Sequence, residues 1–312
     1  MRIIRSVRQM TPLSCGCALT IGNFDGLHLG HRAIVDQLIA QAAALGVPSA
    51  LMTFEPMPRA FFDPVGAPAR LSSLREKAIT VEQLGIDLLI LARFDAAFGA
   101  LSPQAFLDDL IGEKLDARHI LVGEDFRFGK ARSGNLDTLG QFAVRRDMQV
   151  APLPEVCVDG ARVSSTRVRN ALSEGDLDLA TRLLGDVYWV SGRVVAGERL
   201  GRTLGFPTAN IRLARKPAPR YGVYAVEVVL ADGSTRPGAA SFGVRPTVNG
   251  REALLEVFLL DFKGDLYGQR IDVCFRKFLR GEERFDSLDA LTEQMHRDVD
   301  DVRRCLTEHT RS

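Results

Sequence analysis

The chain has 312 residues, too many for one ordinary core and enough for two domains that each bury their own. With 46% hydrophobic and 25% charged residues it falls outside the disordered, fibrous and membrane classes. A net charge of +1 supplies no global field for nucleic acid or an anionic membrane, and five scattered cysteines without a CxxC pair point to reduced thiols rather than a disulfide framework or a zinc site.

The opening MRIIRSVRQMTPLS is broken by charges, unlike a secretory signal, and a cytoplasmic protein is expected. Aliphatic runs predict strands over Cys17 to Gly22, Ser49 to Phe54, Asp87 to Ala92 and His119 to Gly123. Helices are expected from about His31, Ser73 and Ser102, the last with Ser102 as N-cap and Pro103 at the first helical position. Strand and helix in alternation imply a parallel sheet covered on both faces. After His31, a stripe of Ile34, Leu38 and Leu45, flanked by Val35, Ile39 and Ala42, is expected to face the core until Gly46 and Pro48 stop the helix. Around Gly185 the texture changes to short alternating runs: Tyr188 to Val195, Gly222 to Leu230, Leu254 to Leu260 and Ile271 to Phe275. These predict an antiparallel barrel or sandwich, closed by an amphipathic helix from Ser287. The domains are therefore expected at 1–184 and 185–312.

The string TIGNFDGLHLGH (Thr20 to His31) ends a strand in a glycine loop that opens a helix. Gly22, Gly26 and Gly30 let backbone approach a ligand, and the helix start favours phosphate oxygens. Asn23 and Asp25 share this loop, and His28 and His31 would face the same phosphates. Donors fixed there can stabilise transfer at the α-phosphorus of a nucleotide without a protein nucleophile. An isolated pair of this spacing reads better as a surface pair or a structural cap; the position after a strand, on a glycine loop, favours the phosphate reading. At SSTRVR, the hydroxyls of Ser164, Ser165 and Thr166 with Arg167 and Arg169 suit either a phosphate cradle or an ordinary cap with solvated arginines. GERLGRTLGFPTAN (Gly197 to Asn210) includes Gly201 and Gly205 but has no Lys-Ser or Lys-Thr after its glycines, so it is not a Walker A loop. Thr208 and Asn210, two apart on an extended segment, share a face and can jointly hold Mg²⁺ or its nucleotide.

TIGNFDGLHLGH resembles the HxGH nucleotidyltransferase superfamily. TFEPMPRAFF (Thr53 to Phe62), PARLSSLREK (Pro68 to Lys77) and VGEDFRFGKARSGN (Val122 to Asn135) are similar to the adenylyltransferase half of the bacterial bifunctional riboflavin kinase/FAD synthetase family. The string from Gly197, RYGVYAVEV, FGVRPTV and LEVFLLDFKGDLYG resemble its kinase half, and LRGEERFDSLDALTEQMHRDVDD extends the match to Asp301. The resemblance implies a Rossmann-like nucleotidyltransferase domain followed by a six-stranded barrel with a C-terminal helix. It also implies two ATP-dependent steps with Mg²⁺: riboflavin to FMN, then FMN to FAD with release of pyrophosphate. His28, His31 and Ser164 would contact ATP phosphates, Asn23 and Asp125 would line that site, and Glu256 would be the base on the ribityl hydroxyl. Two positions depart from the pattern: Met57 stands where His or Gln is common, removing a donor, and Phe258 where His is common.

The expected partners are riboflavin, FMN and ATP, with neither nucleic acid nor membrane, in a monomer or weak homo-oligomer. A chain with an active kinase alone, its first domain impaired or redirected, is the second enzyme reading. A nucleotide sensor joined to an oligonucleotide-binding barrel ranks last, because aromatics are few and Trp189 is the single Trp.

Overall fold

The structure, a computed structural model, describes residues 1–5, 7–153, 155–197, 205–213, 216–247 and 250–309. Contacts divide it into two compact units, 1–68 with 74–163, and 69–73 with 164–312.

The first unit is built on six parallel strands: β1 (Arg2–Ile4), β2 (Cys17–Ile21), β3 (Ser49–Glu55), β4 (Leu88–Arg93), β5 (Ala117–Gly123) and β6 (Gln149–Leu153). Their order is β1-β4-β3-β2-β5-β6, so the chain builds outward from β2 in one direction and then restarts beside it with β5. Successive side chains leave opposite faces of a strand, and both faces are apolar. Ala18, Leu51, Leu89 and Leu121 pack under α1 (Leu29–Leu45) and α3 (Leu74–Gln83). Leu19, Met52, Ile90 and Ile120 pack on the opposite side, with Phe106, Leu110 and Ile111 of a helical stretch that begins at Pro103 and becomes a π-helix over Phe106–Lys114. Ser102 caps that stretch, its Oγ accepting the Ala105 N–H at 3.1 Å. The buried stripe of α1 is Val35, Leu38 and Ala42. Leu45, expected in the core, is 41% exposed at the last position of the helix. Gly46 then ends α1 in the left-handed conformation, its N–H shared by the carbonyls of Ala42 and Ala43.

The first unit also carries α4 (Ala96–Gly99), α5 (Pro103–Ala105), α6 (Leu136–Arg146) and a pair of short strands, β7 (Cys157–Val158) and β8 (Ala161–Arg162); the second holds two short helices, α7 (Ser165–Glu174) and α8 (Leu177–Leu184), and a closed antiparallel barrel. The barrel strands are β9 (Trp189–Val195), β10 (Thr208–Leu213), β11 (Gly222–Val229), β12 (Thr235–Thr247), β13 (Gly250–Leu259) and β14 (Arg270–Arg280), ordered β10-β13-β12-β11-β14-β9 with β9 closing onto β10. Across β10 and β13, Ala209 pairs with Val257 and Ile211 with Leu255, all buried. The alternate pairs, Thr208 with Phe258 and Asn210 with Glu256, occupy the other face. On that face α9 (Leu288–His309) covers a row of Ala225, Ala239 and Phe258 through Val299, Val302 and Cys305. A bidentate pair secures the helix: Arg280 Nε and Nη2 donate to the two carboxylate oxygens of buried Asp298 at 2.8 and 2.7 Å.

Candidate active sites

In an open parallel sheet, ligands bind beyond the carboxyl ends of the strands where the order reverses. Here that point lies between β2 and β5, and the glycine loop leaves β2 there. Gly22 continues the sheet for one bond, its N–H donating to the Met52 carbonyl at 3.1 Å. The chain then turns through positive φ at Phe24 (44°), Gly26 (86°) and Leu27 (44°). Such a conformation costs a side-chain-bearing residue about 1–2 kcal/mol. Burial of a Phe or Leu side chain returns about 1.5–3 kcal/mol, and both Phe24 and Leu27 are buried in the core beneath α1.

His28 occupies the N-cap of α1, and its carbonyl accepts the N–H groups of His31 (2.7 Å) and Arg32 (3.0 Å). The two imidazoles stack, with centroids 3.7 Å apart and planes 15° apart, and Phe24 lies against His31 at 5.0 Å. A Cβ at Gly30 would sit 3.3 Å from the His28 ring, so glycine there gives the imidazole room. Although part of residue His31 reaches solvent, burial of its ring, followed by the neighbouring His28 and Lys77, holds its proton affinity well below the usual 6.5. His31 is therefore a neutral imidazole at neutral pH, with a single N–H to donate. Its Nδ1 is buried and meets no hydrogen-bonding group among the described residues.

Of the remaining loop residues, Asp25 is buried and Asn23 exposed. Beneath Asn23 lies Lys77, to which no motif assigns a role. Its side chain is fully buried on α3, with Nζ donating to the Asn23 carbonyl at 2.7 Å and to Thr53 Oγ1 at 3.0 Å. A Lys spaced among Leu74, Ala78 and Val81 on an apolar helix face was the available signal. Asp125 stands on the loop after β5, exposed and 3.8 Å from Arg162. Beside these strand ends opens a cavity of about 500 Å³ lined by Phe54, Phe94, Phe98, Phe106, Phe126 and Phe128, with Arg59, Arg127 and Arg132 also contributing. These phenylalanines come from four separate segments, so no single motif joins them. Met57 is buried at the N-cap of α2 (Pro58–Phe62) and gives that helix no side-chain cap.

Ser164 caps α7, its Oγ accepting the Arg167 N–H at 3.3 Å. Thr166 is exposed, while Ser165, Arg167 and Arg169 are half-buried. Arg169 Nε is engaged by the Ala69 carbonyl at 2.6 Å. These residues group by contact with the second unit.

In the barrel, Thr208 and Asn210 line a second cavity, of about 350 Å³, with Gly197, Leu259, Asp265 and Tyr267. Asn210 is buried, and its Nδ2 donates to the Thr208 carbonyl at 3.3 Å. A Cβ at Gly197 would lie 2.5 Å from that Nδ2, so any larger residue there would push the Asn210 amide aside. Thr208, Asn210 and Asp265 give this cavity's lining a hydroxyl, an amide and a carboxylate, the hard oxygen chemistry that Mg²⁺ takes. Half-buried Glu256 pairs with Asn210 on one side and Ser241 on the other, which brings the three together on one face. Just before Thr208, Gly205 turns with φ 85°, and Phe206 is held by Phe258 at 5.1 Å and His296 at 5.0 Å. Gly201 lies outside the described residues.

A parallel sheet with a histidine pair at its switch point, in one chain with a closed barrel carrying an oxygen-ligand cavity and a strand carboxylate, defines a two-domain nucleotide-dependent transferase. The FAD synthetase family model matches residues 11–167, and the riboflavin kinase family model matches residues 184–306. Bifunctional riboflavin kinase/FMN adenylyltransferases from Pseudomonas fluorescens and Escherichia coli (strain K12) are 47% and 45% identical to the chain, each alignment covering 96% of both partners. A crystal structure described as a macrolide-efflux protein from Streptococcus pneumoniae matches with a TM-score of 0.81 at 29% identity, covering 96% of this chain and 98% of that one. Among the described residues no helix is long and apolar enough to cross a membrane. The chain belongs to the bifunctional riboflavin kinase/FMN adenylyltransferase family. Its C-terminal part is the riboflavin kinase and its N-terminal part the FMN adenylyltransferase, and both use ATP and flavin substrates.

Proposed function

We propose the following division of labour among the residues. In the first unit the FMN phosphate oxygen attacks the α-phosphorus of ATP, the bond to the bridging oxygen breaks, and pyrophosphate leaves. His28 and His31 donate hydrogen bonds to the oxygens on which charge builds, and no covalent enzyme intermediate forms. The flat isoalloxazine occupies the phenylalanine-lined cavity, and Asn23, Asp25 and Asp125 orient polar groups at the loop ends. Gly22 and Gly26 admit the nucleotide close to backbone. The stacked histidine pair at the sheet's switch point, beside an aromatic cavity, carries this reading.

Ser164, Ser165, Thr166, Arg167 and Arg169 are assigned to triphosphate oxygens by their donor chemistry. In the barrel, Glu256 accepts the proton of the ribityl hydroxyl as that oxygen attacks the γ-phosphorus and ADP departs. Thr208 and Asn210 would hold Mg²⁺, which when bound neutralises charge on the polyphosphate. Gly201 and Gly205 belong to the glycine-bearing turn over the same nucleotide. The limits 1–184 and 185–312 remain our division between the two activities. ATP as substrate and five unbridged cysteines support a cytoplasmic enzyme, which we take to be a monomer or weak homo-oligomer.

Steady-state adenylylation of supplied FMN tests the histidine roles. His28→Ala and His31→Ala should each lower kcat about 10²–10³-fold, as for removal of an oxyanion donor, while FMN affinity changes little. An unaltered kcat in either variant removes that residue from the site.

A further inference from the structure

The loop that carries Asn23 leaves the sheet after a single backbone bond, and burial of Phe24 and Leu27 anchors its left-handed turns. The carbonyl at its start is held by polar groups. Two side chains converge on the Asn23 carbonyl: Lys77 Nζ donates to it at 2.7 Å, and Thr53 Oγ1 at 3.1 Å, while Nζ also donates to that hydroxyl at 3.0 Å. Lys77 and Thr53 are both fully buried.

An ammonium taken out of water is costly, and a well-packed apolar residue is often as good or better for stability at such a position. Position 77 lies on the face of α3 that packs Leu74, Ala78 and Val81 against the sheet, where an apolar side chain would serve packing alone. The buried charge therefore has a use other than joining helix to sheet.

We propose that Lys77 is a positioning residue for adenylyl transfer: its ammonium, braced by Thr53, holds the Asn23 carbonyl and so sets the path by which the loop delivers His28 and His31. The inference rests on the phosphate-facing role given to those histidines. The same charge also helps keep His31 neutral.

The test is a set of single-residue variants of the full chain, assayed for adenylylation of FMN and followed by thermal melting. Lys77→Met keeps length and apolar character. It should lower kcat about 10²-fold, the scale of a misplacement near 1 Å, with KM for FMN nearly unchanged and the melting temperature held or raised. Thr53→Val, which deletes only the hydroxyl, should lower kcat about tenfold; Thr53→Ser, which keeps it, should match wild type. The two losses should not add in Lys77→Met with Thr53→Val, because they remove one network. A folded Lys77→Met with wild-type kcat overturns the proposal, as does equal activity of Thr53→Val and Thr53→Ser. If Lys77→Met fails to fold, the Thr53 pair decides. His28→Ala separates the layers. Should it retain full activity, the histidine reading falls and takes this one with it; should it be inactive while the Lys77 and Thr53 variants are normal, only the Lys77 assignment falls.

Discussion

The two units assemble their chemistry in opposite ways. In the parallel-sheet unit the histidines are delivered by a loop whose left-handed residues are anchored by burial of Phe24 and Leu27 and whose carbonyl at Asn23 is held by buried polar side chains. In the barrel, Asn210, Glu256 and Ser241 are adjacent simply because three antiparallel strands are in register. A loop-built site depends on supports that touch no substrate. A strand-built site depends on register, which every hydrogen bond along the ladder enforces.

The comparison predicts that the two activities fail separately. The largest effect should come from Glu256→Gln, which keeps shape and the ladder but removes the proton acceptor; riboflavin phosphorylation should fall about 10²–10⁴-fold. Supplied FMN should still be adenylylated at the normal rate. Normal phosphorylation would show that Glu256 is an ordinary strand residue.

Next in size are two glycine replacements that probe close approach in each unit. Gly197→Ala forces a Cβ to 2.5 Å from the Asn210 amide, and Gly30→Ala forces one to 3.3 Å from the His28 ring. The first should lower kinase activity on the order of tenfold and the second should lower adenylylation by less, since a tilt of the ring relieves it. The reverse ranking, measured on the same preparations, would mean that the loop is the less forgiving support.

Acid should also distinguish the units. His31 titrates below its unfolded value, so its neutral form stabilises the fold fully above about pH 6.5, and that stability is lost as pH falls through the folded pKa. Melting followed in the first unit should therefore move down on acidification from pH 7 to 5, and His31→Gln should reduce the shift. A slope unchanged by that substitution would place the acid-sensitive group elsewhere. The smallest effect belongs to Met57→His, which restores a donor at the start of α2 and should raise adenylylation a fewfold, about the worth of one neutral hydrogen bond. Equal rates of FAD formation would show that this position does not reach phosphate.

Much of this architecture was legible because hydrophobic period and turn residues act locally. Cys17–Ile21 and Ser49–Glu55 appear where continuous apolar runs place buried parallel strands, and Ser102 caps the helix that Pro103 begins. The histidine pair, Thr208 with Asn210, and Glu256 were readable as motif positions. What escaped depends on distance along the chain. Lys77 meets Asn23 across 54 residues, and the aromatic cavity gathers rings from Phe54 to Phe128, so neither has a local signature. Strand β6 was missed because Pro152 and the polar Gln149 interrupt its apolar run, although the edge of a sheet tolerates both.

Two activities carried by two domains imply that a diffusible intermediate can join two defective chains. Glu256→Gln enzyme and the His28→Ala, His31→Ala double variant should each make FAD from riboflavin and ATP at least about a hundredfold more slowly than wild type, while an equimolar mixture should make it far faster than either alone, with FMN accumulating first. FAD formation by either variant alone as fast as by the mixture, or no gain on mixing although each chain retains its other activity, would contradict the account.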